Sequence, residues 1–151
     1  MKLAEALIIR ADLQKKIEQL RNRIESNARI QEGDTPNENP FELLKELDMS
    51  IIKLTDIIIR INKTNSMVKF NEELTIADAL AKRDGIWLKR TTLSRIVDSG
   101  TIRHDRYSNT EVRFVSMIDV KKIQDEVDLL SKQFRELDTK IQGLNWNIDL
   151  I

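Results

Sequence analysis

The sequence predicts a mainly α protein: a long-helix antiparallel bundle with coiled-coil-like seams and a small β-hairpin between helices 3 and 4. Three observations carry this expectation. Val120, Ile123, Val127, Leu130, Phe134, Leu137, Ile141, Leu144 and Ile148 recur at alternating steps of three and four, and only a long α-helix collects such residues on one face. Charged residues make up 33% of the 151 positions and hydrophobic ones 40%, a balance that suits amphipathic helices better than a sheet protein or a disordered chain. Only four glycines and two prolines interrupt the chain.

The first helix is expected over residues 2–28, with Leu3, Ala6, Arg10, Leu13, Ile17, Leu20, Ile24 and Asn27 on its seam. Its early turns carry Ala4, Leu7, Ile8, Ile9 and Ala11 on the other faces. A helix that is apolar nearly all round is buried nearly all round, so contact with another subunit is expected there. Residues 31–40 hold both prolines and are acidic, which marks a loop. Asn39 before Pro40 reads as an N-cap with proline at the first helical position. The second helix should then run over 40–65, with Leu44, Leu47, Ile51, Leu54, Ile58 and Ile61 on its seam and Phe41, Ile52 and Ile59 widening the buried face.

Residues 66–74 connect to a third helix at 75–98, opened by a capping-box pattern of Thr75 with Asp78 and stopped by Gly100. The helical pattern then breaks. Val112 and Phe114 alternate like a strand and Arg106 to Thr110 reads as a turn, which places the hairpin at 101–115. Ser116 with Asp119 should cap the fourth helix, at 117–149. Its heptad has Val120, Val127, Phe134, Ile141 and Ile148 at a and Ile123, Leu130, Leu137 and Leu144 at d, while its e and g positions lack the dense charge of a simple zipper. Packing inside a bundle is the better reading, in one domain spanning 1–151. Trp146 falls at f, away from the seam, where it either meets another subunit or folds against the helix end.

Short loops favour antiparallel neighbours, and a hairpin of the first two helices about residue 35 sets Arg10 opposite Arg60 and Glu5 opposite Asn65. One bundle end then gathers Glu5, Arg10, Asn62, Thr64, Asn65, Asp78, Asp84 and Asn145. Leaving a buried polar group unpaired costs roughly 1–3 kcal/mol. Two readings follow. In one, Glu5, Arg10, Asn62, Thr64, Asn65, Asp84 and Asn145 form a ligand site in which arginine takes an anion and asparagines orient it. In the other they form a network that fixes helix register. Arg60, four residues after Asp56, reads as half of a surface ion pair.

The opposite end collects Gln31, Glu32, Asp34, Arg103, His104, Asp105, Arg106 and Tyr107. His104 is the one histidine, and among loop charges it reads as solvated. Glu32, Asp34, His104 and Asp105 match no metal-ligand spacing. The chain has no phosphate loop, nucleophile elbow or dinucleotide fingerprint, so neither catalytic residues nor a cofactor are assigned. An enzyme acting through the polar bundle end is the alternative. Twenty-five basic residues balance twenty-five acidic ones, which gives no support to nucleic-acid binding. Without cysteine, disulfides and thiolate catalysis are excluded. An acid within the first five residues and the shortness of every apolar run argue against a secretory signal or a membrane span, so a cytoplasmic protein is expected.

Several ordered motifs have a family resemblance: Met1-Lys2-Leu3-Ala4-Glu5-Ala6-Leu7 with Arg10 and Asp12, Asn27-Ala28-Arg29, Gln31-Glu32-Gly33-Asp34, Arg60-Ile61-Asn62-Lys63-Thr64-Asn65, Arg106-Tyr107-Ser108, and Leu137-Asp138-Thr139-Lys140-Ile141-Gln142 followed by Asn145-Trp146. Together they make the chain resemble, over nearly its whole length, the small bacterial proteins labelled septicolysin-like. The resemblance implies a mostly helical fold with long coiled-coil-like helices and homo-oligomers, hexamers included. It carries over no reaction and no catalytic residue. The label suggests a pore-forming, thiol-activated cytolysin, but this sequence has no cysteine to activate and no spanning stretch.

Overall fold

The computed structural model describes residues 1–102 and 113–151. Four long helices dominate them: α1 (Leu3–Asn27), α2 (Pro40–Met67), α3 (Ile76–Gly100) and α4 (Val120–Asn145). The β pairing among the described residues is two isolated antiparallel bridges, Lys2 with Asp149 and Lys69 with Thr75. The expected hairpin is not shown. Residues 103–112 lie outside the described ones, and the flanking 101–102 and 113–115 carry no strand. The chain packs as two compact units, residues 1–76 with 142–151 and residues 77–141.

In the first unit α1 packs on α2. The α1 seam is as its spacing requires: Leu3, Ala6 and Leu20 are buried, and Arg10, Leu13, Ile17, Ile24 and Asn27 are half-buried. The start of α2 is capped as expected, with the Asn39 side chain accepting from the Phe41 N–H at 3.0 Å. Its buried face, however, is rotated from the expected one. Leu43, Ser50, Ile57, Ile61 and Thr64 are buried, with Leu47 and Leu54 half-buried between them, an uninterrupted heptad of steps four and three. Two of its members are hydroxyl residues, and each satisfies its burial by donating back one turn, Ser50 to the Glu46 carbonyl at 2.8 Å and Thr64 to the Arg60 carbonyl at 2.9 Å. Phe41, Ile52 and Ile59, expected to widen the core, point the other way and stay 75%, 66% and 59% exposed.

The α1–α2 register also differs from a hairpin about residue 35. That centre would set Lys16 level with Leu54, whereas Lys16 pairs with Glu46 at 2.7 Å. The cause lies where the loop returns. Arg23 holds the Glu38 carboxylate, and the Glu38 N–H donates to the Asn27 side chain at 3.0 Å, so the chain is drawn back onto α1 before α2 begins. Within the loop Gly33 takes a positive φ of 93°, a left-handed conformation that glycine adopts without a Cβ penalty.

The second unit holds α3 and α4 up to Ile141, zipped antiparallel. Arg83 reaches Asp138 at 3.1 Å, the Trp87 and Phe134 rings lie 4.9 Å apart and tilted, and Arg90 donates to the Ser131 hydroxyl at 3.2 Å. Each step down α3 is matched by an equal step up α4. Arg90 also stacks over the Trp87 ring, 5.2 Å from its centroid. Burial of Arg83 opposes its charge, and the hydrogen bonds to Asp84 and Asp138 outweigh it. The cap of α4 is Asp119 rather than Ser116: its carboxylate accepts from the Lys122 N–H at 3.0 Å, while the Ser116 hydroxyl turns to the Ile118 carbonyl. Gly100 stands at the end of α3 without a left-handed φ, and a Cβ there would meet the Ile118 side chain.

The far end of α4 is shorter than its heptad. Asn147 and Ile148 both donate to the Leu144 carbonyl, which turns the chain out of the helix. Ile148 therefore leaves the seam, and Trp146 lies 57% exposed in the turn.

Two outcomes are expected. Leu130→Asp, at a buried seam position, should cost about 3–5 kcal/mol because the charge has no partner. Lys132→Gln, on the solvent face, should stay within about 0.5 kcal/mol; equal urea midpoints for the two would show that the α4 heptad is not a buried seam. The second concerns acid. Hydrogen bonds from Arg23, Lys16 and Lys2 hold Glu38, Glu46 and Asp149 below the usual carboxylate range. Lowered pKa values stabilise the fold above the unfolded-state value and are lost as pH falls through the folded-state value. Melting temperature should therefore hold from neutrality to about pH 5 and fall below about pH 4. A flat profile through that range would show that these pairs contribute nothing.

Candidate functional site

The polar end of the first unit is built by three segments that meet: the start of α1, the last turns of α2 and residues 147–151. The N–H of Leu3 donates to the Ile148 carbonyl and that of Leu150 to the Met1 carbonyl, both at 2.9 Å. Lys2 extends its ammonium to the Asn147 carbonyl at 3.2 Å and to Asp149 at 3.0 Å. From α2, Arg60 donates through Nε to the Ile151 carbonyl at 3.1 Å, and the Thr64 hydroxyl accepts from the Ile151 N–H at 3.0 Å. Thr64 is fully buried, so its one hydroxyl closes a helical turn and holds the returning chain together.

The sequence-predicted site residues part company here. Thr64 belongs to this clasp. Glu5 serves the start of its own helix, its carboxylate accepting from the Lys2 N–H at 2.7 Å. Asp84 lies in the second unit, exposed and taken by Arg83 at 2.8 Å. Asn62 is exposed and its carbonyl receives the Ser66 hydroxyl. Asn65 is half-buried and Asn145 is 5% exposed. Arg10 is half-buried, and its Nε is buried without a hydrogen-bond partner, an orphan donor of the kind that native structures seldom keep.

Lys2, Arg60, Asn147 and Asp149 escaped the sequence reading. Arg60 makes no ion pair with Asp56 among the described residues but faces the returning chain instead. No local pattern signals such contacts, because the partners lie 91 and 145 positions apart. Within the clasp Lys2, Arg60 and Thr64 each hold a distant part of the chain, so these contacts close the end of the unit. Among the described residues no group of three or more His, Cys, Asp or Glu could hold a metal ion; His104 and Asp105 lie outside them. An open pocket of about 680 Å³ in the second unit lies between the end of α3 and the residues leading into α4, with Arg95 the one charged side chain on its wall among the described residues.

The outer face of α2 is apolar. Phe41, Ile52 and Ile59 are exposed there, on the side opposite the buried heptad, and exposed Leu44 and Ile51 border it. Exposed Ile8 and Ile9 add a smaller patch on α1.

A model of a family of unknown function (DUF6847) matches residues 10–150. The structure is similar to the crystal structure of a functionally unknown conserved protein from Corynebacterium diphtheriae, at 43% identity and a TM-score of 0.96, over 100% of this chain and 99% of that one. No curated protein matches. Neither match bears the septicolysin-like name.

Removing the clasp hydroxyl tests its structural weight. Thr64→Val keeps the shape but leaves the Ile151 N–H without its acceptor and should cost about 1–3 kcal/mol in denaturant unfolding. Asn62→Ala, at an exposed position, should stay within about 0.5 kcal/mol. Equal stability of the two variants would remove the clasp from the account.

Proposed function

The chain belongs to that family of unknown function, DUF6847, and we propose for it a structural role as a helical protein that assembles with copies of itself in the cytoplasm. The observation that carries this reading is the outer face of α2, where Phe41, Ile52 and Ile59 remain more than half exposed. Monomeric soluble proteins seldom leave contiguous apolar patches larger than a few hundred Å², and larger ones mark interaction surfaces. The regular heptads of α2 and α4 suit coiled-coil-like packing. The resemblance to septicolysin-like proteins supports homo-oligomers, hexamers included. The absence of cysteine suits a reducing compartment. Among the described residues no helix is long and apolar enough to cross a membrane, so the cytolytic reading gains nothing from them.

One observation favours a second reading, in which Arg10 on α1 binds a small anion. The buried Nε of Arg10 has no acceptor, and a guanidinium matches a carboxylate or phosphate with two parallel donors. Arg10 would take the anion without the asparagines expected to orient it, since the Lys16–Glu46 pair sets Arg10 level with the middle of α2 and about ten residues short of Asn62. Glu5 and Thr64 have their hydrogen bonds within the chain, and Asp84 has its own partner. An enzymatic use of this cluster has no comparable support.

Static light scattering tests the first reading. The expected mass is a multiple of 17.6 kDa, and a monomer throughout the micromolar range would overturn self-assembly. Thermal melting with and without inorganic phosphate tests the second. Phosphate should raise the melting temperature of the wild type and leave Arg10→Met unmoved. An equal response in both would dismiss Arg10 as the anion group.

A further inference from the structure

We infer that the occupant of the outer face of α2 is the same face of a second copy, laid antiparallel across a two-fold axis. The inference rests on the self-assembly reading and specifies its interface. Two observations beyond exposure lead to it.

The first is area. Phe41, Leu44, Ile51, Ile52 and Ile59 are between 43% and 75% exposed. Together they present on the order of 500 Å², so a symmetric pair would bury about 1,000 Å² from these side chains alone, the size that a specific interface needs. Phe41, Ile52 and Ile59 lie in line along the helix, at spacings of whole helical turns. They form a ridge and not a scatter.

The second is charge. Lys45, Asp48, Lys53 and Asp56 are exposed, and none is in an ion pair among the described residues, although Lys16 pairs with Glu46 between them. Lys45 and Asp56 lie on the same flank of the apolar ridge. In an antiparallel two-fold pair, like flanks face each other. If the axis passes between Ser50 and Ile51, Lys45 comes level with Asp56 of the second copy. The same register sets Ile52 against Met49, which is also exposed, and brings Phe41 beside Ile59. A parallel in-register pair would instead bring unlike flanks together and leave Lys45 eleven residues from the level of Asp56. The complementary contact of Lys45 with Asp56 occurs twice in the dimer, once on each side of the axis, so one arrangement serves both these charges and the ridge.

Charge reversal tests both the surface and the direction. The full-length chain is measured by native mass spectrometry and light scattering as wild type, Ile52→Lys, Lys45→Glu and Asp56→Lys. All three positions are exposed, and circular dichroism verifies that each variant is folded. The wild type should be a dimer or a multiple of one. Ile52→Lys should abolish that pairing. Lys45→Glu and Asp56→Lys should each weaken it about tenfold or more, since every homodimer then carries two like-charge contacts. Mixed in equal amounts, those two variants should recover wild-type affinity as heterodimers, because in the antiparallel register each contact again joins opposite charges. Failure of the mixture to recover overturns the antiparallel register. Wild-type oligomers that persist unchanged in all three variants overturn the α2 interface while leaving self-assembly intact. A wild type that stays at 17.6 kDa overturns both.

Discussion

One buried hydroxyl holds more of this fold than its size suggests. Thr64 sits at a seam position that a leucine or isoleucine would fill with greater hydrophobic gain. Its hydroxyl donates within α2 and accepts from Ile151. A hydroxyl can do both because it offers one donor and two lone pairs. Through that single atom the end of α2 is joined to the segment that also pairs with the start of α1. Arg60, one turn earlier, supports the same segment from its other polar group. The hydrophobic contacts of α1 with α2 supply most of the burial, but they do not fix where residues 148–151 lie. The directional bonds do, because a misplaced strand end would leave several buried donors and acceptors unpaired.

The second constraint is that α2 has two apolar faces and one partner. A helix of a small globular unit usually carries one apolar stripe with polar residues opposite. Here the heptad through Leu43, Leu47, Leu54, Ile57 and Ile61 is spent on α1, and the ridge through Phe41, Ile52 and Ile59 is left exposed by the described residues. The second unit has a different economy. Its α3–α4 hairpin combines an aromatic pair with charged and hydroxyl contacts at matching intervals. Most of those groups are partly exposed, so their worth lies in fixing register and less in stability, as is usual for ion pairs near water.

The helices themselves were legible in the sequence because periodicity and capping agree. Asn39-Pro40 marks the start of α2 at the very residue, and the stripe from Val120 to Leu144 runs through α4. The buried face of α2 was harder to read for a specific reason. Leu43 with Leu44, Ile51 with Ile52, and Ile57 to Ile59 give apolar residues on adjacent faces, and the true seam runs through Ser50 and Thr64. A reading that rewards hydrophobicity slides to the face without hydroxyls. The polar end was legible only in outline. Thr64 and Asn145 are buried where a gathering of polar groups was foreseen, but the contacts that organise that end join residues distant in the chain. Lys2 and Asp149 have no sequence relationship that would announce their pairing. Asp84 was assigned by helix count alone, and a local arginine claims it.

The layout of the two units has a consequence for how the molecule is made. Residues 77–141 form one contiguous stretch, whereas the other unit joins residues 1–76 to residues 142–151 across it. During synthesis the contiguous stretch can complete its own contacts as soon as it clears the ribosome. The α1–α2 pair emerges earlier yet waits for residues 142–151, made after the other unit, to seal its open end. Closing that long loop costs entropy only logarithmically in its length, and a folded insert shortens the distance that the chain must search. Sequence-distant contacts of this sort are made late and slow folding. Of the two units, the one whose synthesis starts earlier is thus the one completed later.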